Sequence, residues 1–278
     1  MKASVPKGIS MPTFEDAFAP LYEELDDPDA LFHGETMVDA LLELVPLVED
    51  DSSEAARLYR ELAMLQTKRY EEECLVYAQK AVKAHKASGG IPDLKLYWLY
   101  FSCGDFAMGA GDPVAAEYLR AALEMVGRVD RPALDAVSLK QKLVVTLQTD
   151  ERFEDALALA MEVLREGTEI LGEDAADLQV ITRYIAECHE GLGDLATAAV
   201  WLEKRLGLLE KHDDFGRMLD AYGSLASLAF RASQYSESKK WHKKRLTHAR
   251  TQDNKTWIEI AEKDYEEHFN RLGLPKPQ

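Results

Sequence analysis

Long apolar runs, paired cysteines, recognisable catalytic motifs and basic charge are what this 278-residue chain has least of. No stretch approaches the roughly 18 uninterrupted apolar residues of a membrane-spanning helix, and the start, Met1 to Phe14 (MKASVPKGISMPTF), has no apolar core such as a secretory signal needs. A cytoplasmic protein with no membrane partner is therefore expected. The three cysteines, Cys74, Cys103 and Cys188, form no CxxC pair, which fits buried thiols in a reducing compartment. The seven histidines form no HExxH or HxxxH arrangement, and no short-spaced Cys accompanies them, so no metal site is expected. Gly89-Gly90 is a lone turn without a following GK[ST], and neither GxGxxG nor GxSxG occurs, which leaves no phosphate cradle and no activated nucleophile. Paired carboxylates are read as salt-bridged helix faces. The chain is thus expected to be no enzyme, with no catalytic residue and no cofactor. Its 33 basic against 50 acidic side chains, net −17, argue against a sequence-independent nucleic-acid binder and against a polybasic membrane-surface protein.

What is present is helical periodicity. Apolar residues make up 46% of the chain, and from about Phe14 onward they recur at three- and four-residue steps with almost no strand-type alternation. Short breaks punctuate them at Asp26-Asp27-Pro28, Asp50-Asp51-Ser52-Ser53, Ser88-Gly89-Gly90-Ile91-Pro92, Gly111-Asp112-Pro113, Arg131-Pro132, Gly172-Glu173-Asp174, Gly191-Leu192-Gly193-Asp194 and His212-Asp213-Asp214. Each supplies a helix stop or an N-cap, and about 13 helices in antiparallel hairpins are expected. The breaks hide a repeat. Small residues Cys74, Ala116, Ala156, Ala198 and Ser238 follow one another at steps of 42, 40, 42 and 40, where a short side chain lets the second helix of a hairpin approach the first. Twelve or thirteen residues ahead of them stand Leu62, Cys103, Leu143, Ile185 and Leu225, each followed by Ala63, Gly104, Val144, Ala186 or Ala226. Phe153, Leu195 and Tyr235, three before the small residue, are expected to plug the turns.

This frame resembles the tetratricopeptide repeat (TPR), through Tyr222-x-x-Leu225-Ala226, Tyr235-x-x-Ser238 and Tyr59-x-x-Leu62-Ala63. Its period exceeds the usual 34 residues. It is similar to the long-helix variety of kinesin light chains and spindle-orientation adaptors, as are Trp201-Leu-Glu-Lys-Arg-Leu and its echo Trp241-His-Lys-Lys-Arg-Leu. The resemblance implies an all-α, right-handed α-solenoid of antiparallel helical hairpins, a TPR-like superhelix. It divides the chain into an acidic N-terminal helical pair with a flexible start (1–52), five repeats (53–250) and a capping helix with its tail (251–278). It also implies a concave groove lined by the first helix of each hairpin, where peptides lie. Carried onto this chain, the groove face reads Arg57, Arg60, Met64 and Thr67; Trp98, Phe101, Asp105 and Met108; Ser138, Gln141, Val145 and Gln148; Val180, Arg183, Glu187 and Glu190; and Asp220, Gly223, Ser227 and Phe230. Arg57, Arg60, Trp98 and Phe101 are the residue types that dominate binding hot spots. The alternative for the last two is burial, because Leu94-Lys-Leu-Tyr-Trp-Leu-Tyr-Phe101 is apolar nearly all round. Some family members clamp the carboxylate of chaperone tails with Lys and Asn; Arg60, Met64 and Ser102 stand there, so that clamp is not reproduced.

Charge is polarised along the chain. Fourteen Asp and Glu fall between Met11 and Ala56 with no Lys or Arg, which with Lys2 and Lys7 leaves −12 for residues 1–56. Near the other end a basic patch holds Lys239, Lys240, Lys243, Lys244 and Arg245. Its residues Tyr235, Trp241 and Leu246 are expected to pack inward. The patch is either a solvated outer face or a docking point for an acidic partner, including the N-terminus of another copy; the acidic pair is either a cap or a mimic filling the basic groove at Arg57 and Arg60. The expected function is an adaptor that binds a protein or peptide in the groove. A peptide-sensing regulator or a toxin- or effector-neutralising protein is the alternative, and an enzyme assembled across repeats is the rival of a different class.

Overall fold

The computed structural model describes residues 13–25, 34–69, 73–129, 133–251 and 255–270. The breaks expected at Asp26–Pro28 and Arg131–Pro132, the first hairpin turn around Tyr70, and both chain ends lie outside them. Among the described residues there are thirteen α-helices and no strand, and the chain divides into two compact units, residues 1–131 and 132–278.

The first unit holds α1 (Phe14–Leu25), α2 (Gly34–Leu42), a 3-10 turn at Val45–Leu47, the hairpin α3 (Ser53–Arg69) with α4 (Glu73–Ser88), and the hairpin α5 (Asp93–Ala110) with α6 (Ala115–Met125). The second stacks α7 (Ala133–Thr149) with α8 (Phe153–Leu171), α9 (Leu178–Gly191) with α10 (Leu195–Lys211), and α11 (Phe215–Arg231) with α12 (Tyr235–Thr251), followed by α13 (Lys255–Asn270). Starts are set by side chains that accept otherwise orphaned N–H groups. Ser52 Oγ accepts from Ala55 N at 3.0 Å, Asp194 from Thr197 N at 3.1 Å and Asp214 from Arg217 N at 3.1 Å.

The repeat frame is the packing frame. Leu62, Cys103, Leu143, Ile185 and Leu225 are all buried, as are Ala63, Gly104, Val144, Ala186 and Ala226 behind them. At Gly104 an added Cβ would stand 2.9 Å from Leu119 Cγ and Cδ2 and 3.2 Å from its backbone N, so α5 and α6 meet at a separation only glycine allows. Ser238 uses its hydroxyl to donate to the Ala226 carbonyl at 2.8 Å, tying α12 to α11 without adding bulk. The side chains three before the small residues behave differently from one another. Phe153 and Leu195 are half-buried, and Phe153 lies flat against Gly191. Tyr235 is 40% exposed, edge-on to Phe230, and does not pack inward, because Phe230 on the preceding helix already covers that turn.

The four described hairpin turns are copies of one another. Gly111, Glu151, Gly193 and Ser233 have φ of 70°, 58°, 80° and 60°, and each stands five residues before the small residue of its repeat. The next N–H reaches back to the first helix: Asp112 to the Ala107 carbonyl (2.8 Å), Arg152 to Leu147 (2.9 Å), Asp194 to His189 (2.8 Å) and Gln234 to Ala229 (2.8 Å). This is the Schellman closure, which needs one left-handed residue. Glu151 and Ser233 adopt that conformation against the preference of their Cβ. Glu151→Gly and Ser233→Gly should each raise stability by a few tenths to about 1 kcal/mol in urea unfolding, with no such gain for glycine at helical Glu154.

Candidate functional site

The expected groove residues lie on α3, α5, α7, α9 and α11. In the first unit, α5 turns Leu96, Tyr97, Leu99 and Cys103 into the hairpin and leaves Trp98, Phe101 and Met108 half-buried and Asp105 exposed. Trp98 and Phe101 meet edge to face at 5.6 Å, and Phe101 stacks on Tyr97 at 6.2 Å, so the aromatic patch is braced from beneath. Toward the C-terminal ends of α3 and α5 opens a cleft of about 640 Å³. Thr67, Phe101, Phe106 and Met108 form much of its wall, with Ser102 and Asp105 as polar groups at its edge. Thr67 donates its hydroxyl to the Ala63 carbonyl at 2.8 Å. Beneath lie the buried thiols of Cys74 and Cys103; contact with Cys74 together with burial pushes the Cys103 thiol far up.

The other half of that face is occupied. Arg57, on the first turns of α3, forms an ion pair with Glu15 of α1, and its guanidinium lies 5.7 and 5.6 Å from the ring centres of Phe14 and Phe18. Lys95, three residues before Trp98 and so on the same face of α5, stands 4.0 Å above the Tyr22 ring and bonds its hydroxyl. Arg60 turns inward instead, with its side chain 11% exposed and paired to Glu61 on its own helix. Met64 is half-buried beside it.

In the second unit Gln148 spends its amide on structure, donating to the Tyr184 carbonyl at 2.8 Å and to Cys188 Sγ at 3.2 Å, which joins α7 to α9. Gln141 is half-buried on the same helix. Arg183 and Glu187, one turn apart, pair at 3.7 Å and with Glu190, Ser224 and Ser227 line a small cleft of about 180 Å³ between α9 and α11. Burial pushes the Glu187 carboxyl up from the ordinary carboxylate range, against the pull of Arg183 and Arg205. Arg205 comes from α10, from a charged run that reads as surface, yet its side chain is 3% exposed. It donates through Nε to Gln179 Oε1 at 3.2 Å and reaches toward Asp220 at 3.7 Å. Nothing in the sequence marks it out.

On α12, Lys239, Lys240, Lys243 and Lys244 are exposed, while Trp241 is buried and Leu246 half-buried. Lys240 pairs with Glu237 at 2.6 Å, and Lys244 lies 4.1 Å above the Trp241 ring. Arg245 is no part of a wet surface: α13 covers it and supplies Asp264 as its ion-pair partner, as Glu262 does for Arg250 at 2.9 Å. The capping helix thus also neutralises part of the patch.

The chain superimposes on apo RapI with a TM-score of 0.65 at 14% identity over 94% of this chain and 73% of that one. On BtubC (BKLC) from P. vanneervenii it gives 0.57 at 16% identity over 88% and 94%. A putative kinesin light chain of Podosopora anserina with nearly identical TPR-like repeats gives 0.57 at 15% identity over 72% and 98%. The fold is TPR-like. No protein-family model matches the chain, and no curated protein matches it in sequence. The hairpins are built around buried small residues at a fixed offset, with a 40–42-residue step. Among the described residues, no helix is long and apolar enough to cross a membrane, and no three His, Cys, Asp or Glu side chains converge as a metal site would require. His189 Nδ1 lies 3.6 Å from Asp194, which already caps α10, and neither lines the two clefts.

Proposed function

We propose that this chain is a non-enzymatic binding protein that holds a peptide or partner helix on the face formed by the first helices of its TPR-like hairpins. The observation that carries this reading is the open cleft of about 640 Å³ at the C-terminal ends of α3 and α5. Its walls are aromatic and thioether side chains, its rim bears Asp105 and Ser102, and buried Tyr97 braces Phe101 from behind. Large apolar groups beside a few polar ones, on a rigid helical scaffold, are what a protein anchor needs. One solved structure similar to this chain is a Rap protein complexed with competence and sporulation factor, which supports the binding of a partner factor on such a scaffold. A peptide-sensing regulator is a narrower form of the same reading. The cytoplasm is the proposed place of action.

The test is affinity capture from native lysate, quantified by mass spectrometry. Phe101→Ala combined with Asp105→Lys should reduce the specifically retained partner by about tenfold or more, the loss expected of a hot-spot pair. Val200→Ser, at an exposed position on α10 away from both clefts, should leave it unchanged. Equal retention by the cleft variant, at an unchanged melting temperature, would remove the cleft from the binding face.

A further inference from the structure

The half of the first unit's groove face next to the cleft already displays the chemistry it accepts. Phe14, Phe18 and Tyr22 recur at four-residue steps along one side of α1, Phe14 stacked on Phe18 at 4.8 Å and Phe18 tilted against Tyr22 at 5.4 Å. Phe14 and Phe18 are buried. What they meet on the array side is a pair of cations, Arg57 of α3 and Lys95 of α5, each over an aromatic ring, with Glu15 completing the charge pairing. Cation over ring and guanidinium to carboxylate are contacts of recognition surfaces more than of a hydrocarbon core. The helix also starts independently of the array. Thr13 and Asp16 form a reciprocal capping box, with Thr13 N donating to Asp16 at 3.1 Å and Asp16 N to Thr13 Oγ1 at 3.3 Å.

We infer that the Arg57–Lys95 ledge is a docking site for an acidic amphipathic helix bearing aromatic side chains at i, i+4 and i+8, and that α1 is its resident occupant, displaced by a partner helix of the same pattern. This goes beyond the cleft reading and rests on different residues. Tethering gives α1 a high effective concentration, so a short competing helix binds weakly. A partner long enough to reach from the ledge into the cleft overcomes this: ten residues of α3 separate Arg57 from Thr67, about 15 Å along the helix. In this arrangement α1 sets a threshold that admits only partners engaging both places.

The test uses the full chain and a fluorescently labelled synthetic helix of the sequence Phe14 to Leu25 (FEDAFAPLYEEL), followed by anisotropy. Phe14→Ser with Phe18→Ser should free the ledge and raise probe affinity about tenfold or more over the unsubstituted protein. Adding Arg57→Glu should abolish that gain. Should the double serine variant lose helix content, Glu15→Arg, which repels Arg57 from an exposed position, carries the same expectation. Equal probe binding by the unsubstituted and freed proteins, or none by either, overturns the inference. The cleft variant Phe101→Ala with Asp105→Lys serves as the cross-check. In it, loss of partner capture with probe binding intact reads on the cleft alone, while in the Arg57→Glu variant loss of probe binding without loss of capture reads on the ledge alone.

Discussion

Gly90→Ala should lower the unfolding temperature of the first unit by roughly 6–12 °C, the shift corresponding to about 3 kcal/mol in a protein of this size. Two costs combine. Gly90 has φ of 99°, a conformation that a side chain strains, and a Cβ built there would stand 2.5 Å from the Ser53 carbonyl oxygen and 2.9 Å from Ser53 Cα. The obstruction is backbone, so no rotamer change relieves it. The loop has little freedom to retreat. Ser88 donates its hydroxyl to the Asp51 carbonyl at 2.8 Å, Gly89 N donates to the His85 carbonyl at 2.7 Å, Ile91 N donates to His85 Nδ1 at 3.3 Å, and Ile91 is buried. Gly89 is the internal control: its φ is 77°, but an added Cβ meets nothing within 4 Å. Gly89→Ala should therefore cost only the left-handed strain, about 1 kcal/mol. Thermal melts followed by circular dichroism separate the two, and equal losses would show that the close approach to Ser53 is relieved by movement of the loop.

The second large effect is expected at Arg205. Its guanidinium is enclosed between α9 and α11, with Nε on Gln179, Nη2 3.7 Å from Asp220, and Nη1 buried without a hydrogen-bond partner. Burial, then the nearby Arg183, pulls its pKa below the ordinary arginine value, while Asp220 and Glu187 work the other way. A charge held so incompletely contributes more by its volume than by its pairing. Arg205→Ala should cost about 3 kcal/mol, because it leaves a void and strands Gln179. Arg205→Met with Gln179→Leu, which keeps the volume and removes both polar groups, should come within about 1 kcal/mol of the unsubstituted protein or exceed it. Urea unfolding of the variants decides the matter. If the Met-Leu pair is as unstable as the alanine variant, the guanidinium is worth more than its geometry indicates.

The fold was readable in the sequence wherever one side-chain property had to repeat. Burial of Leu62, Cys103, Leu143, Ile185 and Leu225, and the closeness allowed by the small residues thirteen or so later, impose a periodic demand that survives in the letters. Features that depend on a single three-dimensional meeting left no such trace. Arg205 sits in Glu203-Lys204-Arg205 like any surface arginine, and only the course of its side chain buries it. Gln148 fell on the expected groove face, yet its amide is taken by the backbone of α9. Glu151 and Ser233 hide the left-handed turn that Gly111 and Gly193 announce, because the turn hydrogen bonds hold two non-glycine residues there. The ledge lies between these cases. The four-residue spacing of Phe14, Phe18 and Tyr22 and the cationic Arg57 were both visible, but Lys95, the second cation, was hidden inside an apolar helix. For the cleft, Thr67, Phe101, Asp105 and Met108 all stand on the groove face that the TPR resemblance implies, whereas Phe106 lies off it and carries no repeat signal.

The identical hairpin turns say where the chain can change length. From the left-handed residue to the small residue is five positions in every described repeat, whereas the step between repeats alternates between 40 and 42. The spare residues therefore fall between the small residue and the next left-handed one, where both helix ends and connections differ from repeat to repeat; Gly172–Asp177 ahead of α9 is one such connection, irregular in path and mostly exposed. An epitope or a second binding module spliced at Glu173-Asp174 would displace no hairpin closure, while a single residue added at Leu192-Gly193 would put every side chain of α10 a hundred degrees out of phase.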